Sequence, residues 1–282
     1  MKKHDEGIQI VDGNSNVLLF HIKPSSIDGE YERCNYIHPL YGIDGEILTE
    51  DFPADHPHHR GVFWAWPQIW IGNERIGDPW LLKDFKQEVT EIEFMKDPDK
   101  TVWIKSEALW SSDNWKKEGR VKPYIQENVS IHVHESKMKY RKIDFEISLL
   151  ALEENLRIGG VDNEKEYGGF SVRLKLPEDV KFSGKNGSVE PTDNPLESPG
   201  FINISGAMGK GDSNGGVVIL DGKDNPGYPQ KWILREKSSM QNAVYPGTDP
   251  VPLSTTEPLV LKYSLIVYSG KMNSKKISKL FE

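Results

Sequence analysis

Apolar and polar positions alternate with a period of two along most of this chain. Residues 101–110 mix β-branched and aromatic residues with polar ones, and residues 129–134 and 142–149 alternate cleanly. Residues 259–268 repeat the pattern near the end. Such alternation predicts strands with one face buried. Shorter strands are predicted at 8–11, 17–22, 61–71, 168–176 and 216–220, separated by turn-forming clusters such as Asp97-Pro98-Asp99 and Lys185-Asn186-Gly187. One helix is predicted, at 275–281 behind an Asn273-Ser274 cap, with Ile277, Leu280 and Phe281 on one face.

Many strands without βαβ spacing predict an all-β fold, a large antiparallel β-sandwich closed by a short C-terminal helix. No repeat of fixed period is present, which argues against a propeller. Residues 191–215, rich in Gly, Pro, Ser and Asn, predict a long surface loop. No linker divides the chain, so residues 1–282 are read as a single domain.

Composition narrows the function classes. Net charge is −8 with both signs interspersed, so no basic stripe is available for a nucleic-acid backbone. No apolar run is long enough to span a bilayer as a helix, and no leader follows the first lysines, so the expected location is the cytoplasm. Cys34 is the sole cysteine, which rules out an intrachain disulfide and a thiolate metal cluster; it reads as a small buried residue.

The densest chemistry lies in Asp55-His56-Pro57-His58-His59-Arg60-Gly61. In an extended chain His56 and His58 share one side and His59 takes the other, while Gly61 permits close backbone approach before the aromatic run Val62-Phe63-Trp64-Ala65-Trp66. Trp64 and Trp66 share a face. Three arrangements fit. A histidine could move a proton while a sugar stacks on Trp64 or Trp66 and Arg60 holds an oxygen or carboxylate. His56 and His58, with His38, could hold a divalent metal. Or the histidines could bond backbone groups, with Arg60 paired to Asp55 or Glu50.

A second candidate is the charged loop that runs through Gly168-Gly169 into a strand, presenting Glu166, Tyr167 and Arg173. Glu166 could be a second acid/base group. His132 and His134 share the face opposite Ile131 and Val133, which leaves an incomplete ligand set. The chain lacks the His-Glu-x-x-His, Gly-x-Ser-x-Gly, phosphate-loop and dinucleotide signatures.

Several segments resemble the PmoA-like family of bacterial proteins. They are Tyr36-Ile37-His38-Pro39-Leu40-Tyr41-Gly42, Gly45-Glu46-Ile47-Leu48-Thr49-Glu50-Asp51-Phe52-Pro53 and the histidine block through Trp66, with Tyr167-Gly168-Gly169-Phe170-Ser171-Val172-Arg173 and Gly215-Gly216-Val217-Val218-Ile219-Leu220. That family carries a methane-oxygenase label, but a particulate methane oxygenase subunit is built of membrane helices, which this sequence does not contain. The resemblance implies a galactose-mutarotase-like β-supersandwich and a carbohydrate setting. Pro67 stands where many relatives are expected to carry a histidine.

The leading expectation is therefore a carbohydrate-active enzyme, an isomerase, hydrolase or lyase acting on a small sugar or glycoside. His58 or His59 would transfer the proton, with Glu166 as a second group. Arg60, Trp64, Trp66, Tyr167 and Arg173 would bind substrate, with no required cofactor. The alternatives are a metal-dependent enzyme on His56, His58 and His38, and a non-catalytic carbohydrate-binding module that relies on its tryptophans.

Overall fold

A computed structural model describes residues 1–237 and 239–281, with the side chain of Phe281, one of the predicted apolar helix positions, outside that description. Among the described residues two nine-stranded antiparallel sheets face each other. The first runs, edge to edge, Lys2–Lys3, Gly7–Asp12, Ser15–His21, Tyr36–Leu40, Val62–Ala65, Gly169–Val172, Gln241–Val244, Lys231–Ile233 and Leu196–Glu197. The second runs Lys86–Lys96, Val102–Ser111, Ile125–Val133, Tyr140–Ala151, Leu259–Ser269, Gly215–Asp221, Phe201–Gly206, Lys181–Gly184 and Gly187–Ser188. A four-stranded sheet including Gln68–Ile71 and Leu156–Gly159 adds to the same core.

The alternation explains the sandwich. In Ile125–Val133, Ile125, Val129, Ile131 and Val133 are buried while Asn128 and His132 are exposed. Trp64 and Phe170 from the first sheet meet Phe145 and Tyr263 from the second, with Phe170 and Tyr263 stacked at 4.5 Å. Burial of each large side chain here contributes about 1.5–3 kcal/mol. Residues 216–220 form a continuous apolar run because both faces are covered. One face meets the core; the other meets the helix Ser274–Phe281, whose Ile277 and Leu280 pack with Val218, Leu220, Ile266 and Tyr268. Asn273 caps that helix by accepting from the Lys276 amide.

Two local expectations change, and one strand went without an expectation. The strand predicted at 61–71 is two strands, Val62–Ala65 and Gln68–Ile71, in different sheets. Pro67 stands at the break, where a missing N–H is cheapest. The loop predicted at 191–215 contains Phe201–Gly206, whose Phe201, Ile202 and Ile204 are buried; the flanking glycines mask a strand buried on both faces. Lys86–Lys96 gave no clear apolar signal because it is an edge strand carrying many charges.

Beside Tyr36–Leu40 and Val62–Ala65, the outer face of the first sheet is also covered. Tyr36, Phe63, Ala65, Ile233 and Val244 pack there against Trp80 and Met240, with Tyr167 partly buried on the same cluster. This second, smaller core carries the histidine block.

Candidate functional site

The block is a turn and not an extended chain. The His59 amide donates to the His56 carbonyl at 2.9 Å, and the His56 amide to Pro53 at 3.1 Å. Pro57 occupies the second position of the His56–His59 turn, where its fixed φ is favourable. The turn reverses the expected facing. His56 and His59 stack at 4.7 Å with an interplanar angle of 9°, and His58 meets His59 edge-on at 4.5 Å. Gly61 then enters the sheet at φ +57°, where a Cβ would lie 2.0 Å from the Ile37 carbonyl oxygen. A side chain there would separate the two central strands.

A carboxylate fixes one of the three imidazoles. Asp55 Oδ2 accepts from His56 Nδ1 at 2.6 Å, and both groups reach solvent, at 34% and 44% exposure. Asp55 is itself held in a fork by Arg173, whose Nη1 and Nη2 donate at 2.9 and 2.7 Å. Arg173 Nε donates to Glu50 at 2.7 Å. Burial alone would raise the Asp55 pKa, but the Arg173 and His56 hydrogen bonds outweigh it and hold the carboxyl well below the usual range. An ionised acceptor on Nδ1 selects the tautomer whose Nε2 carries the lone pair. His56 is therefore an oriented imidazole that reaches solvent.

His58 and His59 have another character. Burial, then the adjoining imidazoles and nearby arginines, lowers His58 to about 4 and His59 to about 2. Both are neutral near pH 7, and the buried Nδ1 of His59 has no hydrogen-bond partner. The wall beyond them is aromatic. Trp80 lies 5.8 Å from His59 and 5.4 Å from Phe63, and Tyr167 lies 4.8 Å from Trp80. Tyr167 is the partly exposed ring of this wall. Asp55, Glu50 and Arg173 also line an adjoining cleft of about 850 Å³.

Several nominated residues do not reach this surface. Trp64 and Trp66 do share a face, but that face is the sandwich core. Trp64 donates to buried Glu127, and Trp66 donates to the Tyr245 carbonyl; neither can stack on a sugar. Arg60 is fully buried and all five of its N–H donors are engaged, by Asp51, the Ser25 and Tyr31 carbonyls and the Tyr36 hydroxyl. It pins the hairpin of Ser25–Ile27 and Glu30–Arg33 to the sheet and has no donor left for substrate. Arg173, and not Arg60, takes Glu50 and Asp55. Its engagement makes it a positioning group for Asp55.

Glu166 and Tyr167 part ways. The Glu166 carboxylate pairs with Lys231 at 3.0 Å and lines a different cavity of about 590 Å³ with Tyr245 and Pro246. It does not join the histidines, because neighbouring side chains at a strand entrance diverge. His38 bonds Thr49 Oγ1 at 3.0 Å, and burial lowers it to about 4. Among the described residues no group of three or more His, Cys, Asp or Glu is placed to hold a metal ion, so His56, His58 and His38 do not form the expected ligand set. His132 and His134 lie at the second sheet, with His134 bonded to Asp144. Cys34 is buried and free. No described helix is long and apolar enough to cross a membrane.

Sequence reasoning missed Trp80 and Arg33. Neither carries a local motif, and both arrive from outside the block through loop and hairpin packing.

Comparison with known proteins places this architecture in a family without adding an activity. Residues 8–282 match a family of unknown function, DUF6807, and the chain belongs to it. No curated protein matches the sequence.

Proposed function

We propose that the protein is a carbohydrate-active enzyme in which His56 transfers a proton to or from a sugar or glycoside. The observation that carries this reading is the Arg173–Asp55–His56 array, a charge-held imidazole whose side chain is 44% exposed. A carboxylate held by an arginine fixes the orientation and tautomer of the imidazole, and proton transfer depends on both. Neutral His58 supplies hydrogen-bond donors and acceptors to hydroxyl groups, and the Tyr167 ring supplies the apolar surface that a sugar's C–H face needs. The proton-transfer role thus moves from His58 and His59 to their neighbour.

The same reading takes the chain as a PmoA-like protein and its sandwich as the galactose-mutarotase-like supersandwich, on the sequence resemblance. The non-catalytic alternative relied on Trp64 and Trp66, both buried, and the metal-dependent alternative on a ligand set that is not assembled. A panel of sugars and glycosides, followed by NMR for exchange or cleavage in wild type, His56→Ala and His58→Ala, tests the proposal. Turnover lost in His56→Ala and reduced in His58→Ala supports it. Turnover equal in all three, or none with any sugar, rejects it.

A further inference from the structure

Behind the histidines lies a cation that no carboxylate among the described residues hydrogen-bonds. Arg33, at the end of the hairpin strand Glu30–Arg33, is 3% exposed. One hydrogen bond is made by its guanidinium, from Nη2 to the Pro79 carbonyl at 2.7 Å. Its Nε is buried without a partner, and among the described residues no carboxylate forms an ion pair with it. The Phe63 ring, 5.0 Å away, gives partial compensation. Phe63 is also the ring that His59 stacks toward at 6.1 Å. The buried Nδ1 of His59 is unpartnered as well. Two unsatisfied polar groups thus flank one phenyl ring, on the face where His56 and His58 emerge.

An unpaired buried charge is among the costliest features a fold can keep, and removing the partner of a buried pair typically destabilises strongly. The neighbouring cations already have carboxylate partners: Arg60 has Asp51, and Arg173 has both Glu50 and Asp55. Glu127 is a buried counter-charge to Arg33, but its carboxyl takes hydrogen bonds from Trp64, Trp110 and Gln87 and none from Arg33. Arg33 therefore keeps guanidinium donors that no carboxylate among the described residues takes. A planar guanidinium fork matches a carboxylate in geometry.

We propose that Arg33 recognises a carboxylate of the substrate, so that the ligand is an acidic sugar such as a uronate. This deepens the carbohydrate reading and rests on it for the sugar.

The test compares D-glucuronate and D-galacturonate with D-glucose and D-galactose, by calorimetry and ligand-observed NMR, on wild type, Arg33→Met and Arg33→Lys. Inorganic phosphate serves as a competitor. The expected result is at least tenfold tighter binding of one uronate than of its neutral parent in wild type. That preference should vanish in Arg33→Met and be weakened in Arg33→Lys, with thermal unfolding confirming that both variants fold. Equal affinity for acid and neutral sugar in wild type, a comparison that needs no variant, would overturn it. So would a preference surviving in Arg33→Met, or phosphate binding where neither uronate binds. Neutral-sugar turnover that depends on His56 without any acid preference would reject this inference and leave the proposed function standing. Uronate binding through Arg33 with turnover indifferent to His56 would do the reverse.

Discussion

Replacing Arg60 with Met separates a structural role from a binding role at the centre of the block. The side chain is fully buried and uses all five donors, while its partner Asp51 keeps 14% exposure. Removing one member of a buried pair costs about 3–5 kcal/mol, mostly the penalty of the charge left behind. Water can reach part of Asp51, so the lower end, about 3 kcal/mol, is the expected loss. At this chain length each kcal/mol lowers Tm by roughly 2–4 °C, which gives a fall of roughly 6–12 °C by circular dichroism. Adding Asp51→Leu to the variant should recover part of the loss, because the stranded carboxylate is then gone. The hairpin at Ser25–Arg33 should gain amide exchange, since Arg60 is what ties the Ser25 and Tyr31 carbonyls down. A loss under about 1 kcal/mol, with unchanged exchange in the hairpin, would refute the reasoning and return Arg60 to the pool of substrate ligands.

Three further outcomes follow from the same geometry. His58 and His59 have folded pKa values near 4 and 2 against an ordinary 6.5, so between about pH 6.5 and 4 the unfolded chain binds more protons. Their contribution to stability is complete above pH 6.5 and declines as pH falls; urea midpoints across this window should flatten in the double variant His58→Gln, His59→Gln, and an unchanged slope would contradict the burial argument. Trp64→Phe removes a donor from buried Glu127 and should cost about 1–3 kcal/mol in urea unfolding while leaving sugar binding intact; lost binding in a stably folded variant would reinstate Trp64 as a ligand platform. Glu166→Gln breaks a half-exposed pair with Lys231 and should change Tm by less than about 1 kcal/mol equivalent with turnover unaffected, so an activity loss would place Glu166 in the chemistry.

The sequence was most readable where burial has a simple period. The strands Ile125–Val133 and Tyr140–Ala151 and the capped terminal helix were all visible, since one face of each meets a core. Phe201–Gly206 and Lys86–Lys96 were not, the first buried on both faces and the second an edge rich in charge. The location of the block was legible from its concentration of histidines. Its internal facing was not, because a turn centred on Pro57 replaces strand alternation with the stacking of His56 on His59. Nor does any local rule say which face of Val62–Ala65 is the core. Two tryptophans on one face suggest a platform as readily as a buried layer, and the answer depends on Phe145 and Tyr263 from strands far along the chain. The pairing of Arg173 with Asp55 spans 118 residues, so it belongs to tertiary structure alone.

The most direct measurement is the pH-rate profile of wild type against His56→Ala and Asp55→Asn, on whichever sugar or glycoside the panel shows to react. A base oriented through Nδ1 predicts roughly 10²–10⁴-fold loss of kcat in His56→Ala, with KM little changed. Asp55→Asn should also lower kcat, since it removes the charge that sets the tautomer, while the protein stays folded. Wild-type kcat in His56→Ala, or a loss confined to KM, would contradict the assignment of His56 as the proton-transfer group.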